Sequence, residues 1–179
     1  MLVNLSDVFS SEGKKLDVSV ELEMERFRSR LGDFFIREKN PVQLSLTNNG
    51  VGKAKIEGTV KLIFDTSCDR CLTEVPTILT LEFEREVTSP DITTDSSEEE
   101  DREDDSIGFM EGYQLNVETF VYNEILLNWP LKILCKDDCK GICKVCGQNL
   151  NEGECGCDSF VPDPRMAAIQ DIFNANKEV

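Results

Sequence analysis

The feature of this 179-residue sequence that most constrains its fold is a set of eight cysteines combined with the absence of histidine. A closed structural zinc site takes four ligands in a tetrahedron, so two all-cysteine sites use every thiol. Such sites leave no open position for water, and without histidine the common Ser-His-Asp, Cys-His and HExxH sites are excluded. The sequence therefore predicts two Zn²⁺ ions and no catalytic residue. The predicted ligands are Cys68, Cys71, Cys135, Cys139, Cys143, Cys146, Cys155 and Cys157.

Two Cys-x-x-Cys pairs indicate knuckle turns that bring two sulfurs to one metal. The pair at Cys143 and Cys146 is followed by Gly147, which adopts a positive φ easily. The pair at Cys68 and Cys71 is followed by Leu72, so that signal is weaker alone. We expect the first four cysteines to form one site and the last four the other. An interleaved arrangement, in which Cys135 and Cys139 share a site with Cys155 and Cys157, stays open at this stage.

Other roles for the cysteines are disulfides, a thioredoxin-like redox pair and iron–sulfur ligation. Disulfides suit a secreted chain, but Met1–Asp7 resembles no signal peptide. Neither Cys-x-x-Cys pair opens a helix in a βαβ setting, as a redox pair requires. Iron–sulfur ligation stays chemically open. No apolar run is long enough to span a membrane, so we expect a cytoplasmic protein whose thiols stay reduced.

Alternating apolar and polar residues predict antiparallel strands in the first half, around Leu16–Met24, Val42–Leu46, Ile56–Phe64 and Leu79–Val87. Asn48-Asn49-Gly50 predicts a hairpin turn between the second and third strands. The expected fold class is α+β: an N-terminal antiparallel sheet or partial barrel, followed by helices with a cysteine-rich zinc-knuckle module.

The second half carries helical signals. Asn116 is a predicted N-cap for a helix bearing Val117, Phe120, Val121 and Ile125, which Trp129-Pro130 ends. A last helix is predicted from Asp163-Pro164, with Met166, Ile169 and Phe173 on one face. Between the halves, residues 95–105 hold eight acids and one base, which favours a solvated linker. The predicted domains are 1–90 (sheet with the first Cys-x-x-Cys), 91–112 (acidic linker) and 113–179 (helical zinc-binding module).

The formal charge of −16 opposes nonspecific binding to RNA phosphates. Any RNA contact must then come from a local basic patch. Arg26, Arg28 and Arg30 are spaced two apart and share one side of an extended segment. They are weak candidates for a nucleic-acid surface, since exposed arginines more often serve solubility.

The cysteine-rich region also carries a family resemblance. The run LCKDDCKGICKVCGQNLN from Leu134 to Asn151, continuing through Cys155-Gly156-Cys157 to DPRMAAI at 163–169, is specific. With the upstream Cys68-Asp69-Arg70-Cys71, it resembles the YceD family of large ribosomal RNA subunit accumulation proteins, in the Gram-positive version with the full cysteine set. Other members keep the first pair and lose the last four cysteines, which favours the division into first four and last four.

The resemblance implies a role in the synthesis, processing or stability of large-subunit ribosomal RNA. The implied partners are that RNA or a large-subunit ribosomal protein, with no membrane and no small-molecule substrate. No catalytic residue is carried over, so we expect a non-enzymatic factor. Two alternatives stay open: a zinc-stabilised adaptor that docks a basic protein without contacting RNA, and a thiol redox sensor.

Overall fold

The computed structural model describes residues 1–93 and 108–157 of the chain. They divide into two units. The first unit contains Met1–Thr66 and Glu74–Ile133, and the second unit contains Ser67–Thr73 together with 134–157 of the described chain. Within the described residues, no helix is long and apolar enough to cross a membrane.

The first unit carries all nine strands and three helices of the described chain. In chain order they are β1 (Leu2–Asn4), α1 (Ser6–Ser10), β2 (Lys15–Val20), β3 (Arg26–Ser29), β4 (Gly32–Lys39), β5 (Val42–Gly50), β6 (Lys53–Ser67), β7 (Glu74–Thr88), α2 (Pro90–Thr93), β8 (Met110–Glu111), β9 (Gln114–Asn116) and α3 (Val117–Asn128).

Six of these strands form an antiparallel sheet in the order β2-β5-β6-β4-β3, with β7 also paired to β6. The predicted alternation is confirmed: Ile56, Val60, Leu62 and Phe64 are all buried along β6. Within the described chain, β2 and β3 lie at the two ends of this strand order. Burial of every second side chain fixes the register, because a one-residue slip would expose the apolar set.

The hairpin between β5 and β6 is confirmed, but its turn lies at Val51-Gly52 rather than at Asn48–Gly50. Asn48 is still paired with Ala54 in the sheet. Its side chain is buried, and its Nδ2 donates to the carbonyl of Val8 at 2.7 Å. This tertiary hydrogen bond holds Asn48 in the strand, which the local turn signal does not reveal.

The helix predicted after Asn116 is confirmed as α3. The Asn116 side-chain oxygen accepts from the Thr119 amide at 3.3 Å, and the helix ends before Trp129. Its predicted apolar face is buried, with the ring of Phe120 packed edge-on against Phe83 and Phe109 at centroid distances of 4.9 and 5.0 Å. The helix therefore completes the core of the first unit.

Helices are few in the described part of the chain. The class is mixed, with antiparallel sheets and few helices, and α+β describes it only in part. Residues 134–157 contain turns and one isolated bridge, from Ile142 to Asn149, and no helix. The predicted boundary at 113 differs from the division into units, since α3 belongs to the first unit. The acidic linker at 95–105 and the helix predicted from Asp163 lie outside the described residues.

Candidate metal centres

The first Cys-x-x-Cys pair lies in the loop that joins the paired strands β6 and β7. The Cys68 amide donates to the Thr73 carbonyl at 2.8 Å, and the Leu72 amide donates to the Cys68 carbonyl at 2.9 Å. These two hydrogen bonds close the loop around Cys68 and Cys71. Leu72 has a φ of +60°. Among the residues that the structure describes, it is the only non-glycine residue with a positive φ.

The second Cys-x-x-Cys pair repeats the same hydrogen bonds. The Cys143 amide donates to the Gln148 carbonyl at 2.8 Å, and the Gly147 amide donates to the Cys143 carbonyl at 2.9 Å. Gly147 has a φ of +76°, at the position that corresponds to Leu72. The two knuckles therefore share one backbone geometry, and a leucine adopts the left-handed conformation where the sequence lacks glycine.

The structure brings the eight thiols together as two groups of four. One group is Cys68, Cys71, Cys135 and Cys139, and the other is Cys143, Cys146, Cys155 and Cys157; within each group all sulfurs lie within 4.8 Å of one another. This is the division into first four and last four that the spacing favoured. The interleaved arrangement is not the one observed.

The sulfur separations fit one tetrahedral ion. In the first group, the sulfurs of Cys68 and Cys139 are 3.7 Å apart, and those of Cys71 and Cys135 are 3.5 Å apart. A metal–sulfur bond of about 2.3 Å gives a tetrahedron with sulfur–sulfur edges of about 3.8 Å. An iron–sulfur cluster would hold its cysteines further apart, because bridging sulfides separate its irons. Each group can therefore hold a single ion.

Backbone amides aim at the first sulfur of each knuckle. The amides of Cys146 and Val145 lower the pKa of Cys143 to about 6. Burial opposes ionisation of Cys68, but the amides of Arg70, Cys71 and Cys135 outweigh it and lower the pKa of that thiol to about 6. Hydrogen bonds to a thiolate favour the charged form, which is the form that binds metals.

The other thiols show why each group needs a cation. Desolvation and the adjacent sulfur of Cys71 raise the pKa of Cys135 to about 12. The adjacent sulfurs of Cys146 and Cys155 raise the pKa of Cys157 to about 12. Four thiolates this close repel one another, so they ionise together only around a positive ion.

Asn151 supports the first group in a way that the sequence analysis missed. Its Nδ2 donates to the Cys139 sulfur at 3.3 Å, and its Oδ1 accepts from the Lys140 amide at 2.9 Å. Its own amide donates to Asn149 Oδ1 at 3.0 Å. The side chain is thus fixed where it can stabilise a thiolate. The Asn-Leu-Asn run after the knuckle is the only sequence signal for this role.

Arg70 and Gly141 join the two chain segments of the second unit. Arg70 Nη1 donates to the Cys139 carbonyl at 2.8 Å, and the Arg70 carbonyl accepts from the Ile142 amide at 3.1 Å. Gly141 has a φ of +80°, and a Cβ there would lie 3.1 Å from the Arg70 carbonyl oxygen. The glycine therefore permits the close approach of the two segments.

The two groups differ in exposure. In the first group Cys68, Cys71 and Cys139 are buried and Cys135 is exposed. The second group has one buried member, Cys143, with Cys146 exposed and the remaining two half-buried. Solvent and competing thiols therefore reach the second group more easily.

Arg26 and Arg28, two of the three arginines proposed for nucleic-acid contact, share the exposed side of β3, as predicted, and also share one carboxylate. Arg26 and Arg28 both pair with Asp33, at 2.9 and 3.2 Å, and the Arg26 guanidinium holds the pKa of Asp33 below its usual value. Arg30 follows the strand and is exposed. Asp33 therefore offsets one of the three positive charges proposed for binding phosphate.

The part of the chain that resembles known proteins includes all eight cysteines. The family profile described as large ribosomal RNA subunit accumulation protein YceD matches residues 56–173. The chain is 27% identical over 123 residues to the uncharacterized proteins Rv2926c of Mycobacterium tuberculosis and Mb2951c of Mycobacterium bovis, which covers 69% of this chain. The aligned part spans 57% of the length of these curated relatives. No solved structure matches the chain.

Proposed function

The chain belongs to the YceD family, and from this premise we propose that it is a non-enzymatic factor that supports the accumulation of large-subunit ribosomal RNA. The family match carries this proposal, because it covers both cysteine groups and the two strands, β6 and β7, that flank the first Cys-x-x-Cys pair. Its partners are large-subunit ribosomal RNA, a large-subunit ribosomal protein, or both.

The proposal includes one Zn²⁺ ion in each cysteine group. Thiolate-only tetrahedral sites select zinc or iron, and the close sulfur spacing supports a single ion. A four-sulfur zinc site contributes about 10 kcal/mol or more of apparent folding free energy. The second unit has no helix among its described residues, so metal binding is the interaction best able to hold it together. Action in the cytoplasm suits this role, because thiolate ligands stay reduced there.

The role of the chain in this proposal is to hold and orient the ligands. Amides in each knuckle stabilise the first thiolate, Asn151 supports Cys139, and Arg70 ties the two segments. The ion supplies positive charge that lets four thiolates share one site. Since all four positions are filled by sulfur, no coordination site is left to activate water.

The proposal is tested by complementation in cells from which the gene has been removed. We expect removal to lower the ratio of large- to small-subunit ribosomal RNA, and the wild-type chain to restore it. Cys68→Ser and Cys143→Ser should fail to restore the ratio, whereas Lys144→Ser, a change next to a ligand, should restore it. An unchanged ratio after removal of the gene would refute the function.

A further inference from the structure

A groove crosses the solvent-facing side of the sheet in the first unit. Its volume is about 820 Å³, and it is lined by three consecutive residues from each of β2, β5, β6 and β7, at 17–19, 43–45, 57–59 and 82–84. Side chains alternate along a strand, so the outer two of each triplet face the groove and the middle one faces the core. The buried Leu44 and Phe83 show this alternation.

The charged side chains of the groove are carboxylates. They are Asp17, Glu57, Glu82 and Glu84, and no lysine or arginine lines the groove. At its margin Lys15 pairs with Asp17 at 3.2 Å, and Lys55 bridges Glu57 and Glu84 at 2.8 and 2.9 Å. Glu82 makes no ion pair within the described chain. The groove therefore keeps a net negative charge and repels nucleic acid.

The remaining groove-facing side chains are neutral hydrogen-bonding groups. Ser19, Gln43 and Thr59 form one row across the sheet, and Gln43 Nε2 donates to Ser19 Oγ at 2.8 Å. Ser45 lies in the next row, opposite Asp17 and Glu57. Hydroxyl and amide groups both donate and accept, so they match the alternating N–H and C=O groups of a peptide backbone.

The carboxylates are too dispersed to bind a metal ion. Among the described residues, the groups of three or more potential ligands within 4.8 Å of one another are the two cysteine groups. The groove spans four strands, which is about 14 Å at the usual strand spacing. A ligand that satisfies this surface must therefore carry several positive charges along its length.

We propose that the groove binds an extended polypeptide segment rich in lysine or arginine, supplied by a partner protein. About four or five extended residues span the groove, and side chains at alternate positions point to the same face. The lysine or arginine cations of the segment pair with the groove carboxylates, while its backbone forms hydrogen bonds with the row of Ser19, Gln43 and Thr59. This inference rests on the proposed function only in identifying the partner as a ribosomal protein.

The test measures binding of a fluorescent peptide of about ten alternating Lys and Thr residues to the zinc-loaded full chain, at about 50 and about 300 mM salt. The groove variant is Glu57→Gln/Glu82→Gln/Glu84→Gln. The matched control is Glu21→Gln/Glu25→Gln/Glu38→Gln, which removes the same charge from exposed positions outside the groove. A second variant, Thr59→Lys, places a cation in the groove without removing any carboxylate.

We expect saturable binding that weakens about tenfold in the groove variant and in Thr59→Lys, and changes less than about twofold in the control. Equal loss in the control would show nonspecific attraction and overturn the proposal. Displacement of the peptide by spermine at equal charge concentration, or binding of an RNA decamer to the same groove, would also overturn it. Failure of the proposed function would give a different result: removal of the gene would leave the ribosomal RNA ratio unchanged, while the purified chain would still bind the peptide.

Discussion

At the scale of single residues, Leu72 holds the first knuckle in a conformation that glycine adopts at no steric cost. Its side chain is 66% exposed, so little burial compensates for the left-handed backbone. We expect Leu72→Gly to stabilise the zinc-loaded protein by up to about 1 kcal/mol in thermal melting. Val145→Gly, in the second knuckle, is the control and should destabilise by about 0.5–1 kcal/mol. Equal destabilisation by both would show that the Leu72 side chain has a stabilising role.

Asn151 supplies a hydrogen bond to a predicted ligand, so its loss should weaken metal binding without removing a sulfur. We expect Asn151→Ala to lower zinc affinity about 10- to 100-fold, measured by competition with a chromophoric chelator. Gln148→Ala, an exposed side chain in the neighbouring knuckle, should leave the affinity unchanged. Wild-type affinity in Asn151→Ala would contradict the assigned contact.

Zinc affinity should depend on pH with a sign set by the thiol pKa values. Between about pH 6 and 9 the metal must displace at least the proton of Cys135, whose pKa is about 12. Affinity at the first group then falls at least about tenfold for each unit of acidification. Below pH 6 the Cys68 thiol also protonates, since its pKa is about 6, and the loss steepens to at least about a hundredfold per unit. Chelator competition across this range checks the slope; a flat response would contradict thiolate ligation.

At the scale of elements, the close packing of β6 against its neighbours β5 and β7 depends on Gly58. A Cβ at this position would lie 2.5 Å from the Gln43 carbonyl oxygen and 2.6 Å from the Phe83 ring. We expect Gly58→Ala to destabilise the protein by about 1–3 kcal/mol in chemical denaturation. Thr59→Ala, one residue away and facing solvent, is the matched control and should cost less than about 1 kcal/mol. Similar values for the two variants would contradict the close packing.

The start of α3 gives a second test at this scale. Asn116 caps the helix through its side-chain oxygen, so Asn116→Ala should cost about 1 kcal/mol. Asn40→Ala is the control, because within the described chain this exposed residue forms a hydrogen bond through its backbone amide and none through its side chain. Equal stability of the two variants in denaturant would show that the cap contributes nothing.

The sequence predicts elements whose signals are local. The alternation along β6 and the apolar face of α3 both follow from periodicity, and the structure confirms them. The hairpin of β3 and β4 does not follow from the sequence pattern, because its apolar residues make contacts distant in sequence: the ring centroids of Phe34 and Trp129 lie 4.5 Å apart. The turn at Val51-Gly52 was misplaced for the same reason, since a contact with Val8 holds Asn48 in the strand.

At the scale of the whole molecule, the cysteine grouping was the most predictable part of the candidate site. Ligand number and spacing divide eight thiols into two sets of four, and the structure brings the same sets together. The support from Arg70 and Gly141 was not predictable, because it depends on two segments more than 60 residues apart meeting in one unit. The contact of Asn151 with Cys139 spans only 12 residues, but it depends on how the loop between them folds, which periodicity does not show. The charge of −16 likewise gives no location for the groove, which only the sheet register reveals.

The difference in exposure between the groups predicts an order of metal loss. We expect a chelator or low-dose peroxide to remove zinc first from the second group, whose Cys146 is exposed and whose Cys155 and Cys157 are half-buried. Zinc release from wild type and from Cys143→Ser, which keeps only the first site, should therefore differ in rate, with the variant slower. Faster release from the variant would show that the first group, and not the second, loses its zinc more easily.

The measurement that tests the central claim most directly is the zinc content per chain, by native mass spectrometry, of the purified wild-type protein and two serine variants. We expect two ions in the wild type, one in Cys68→Ser and one in Cys143→Ser, because each change removes a ligand from a different group. A folded wild-type chain without metal, or an unchanged count of two in Cys68→Ser, would contradict the account.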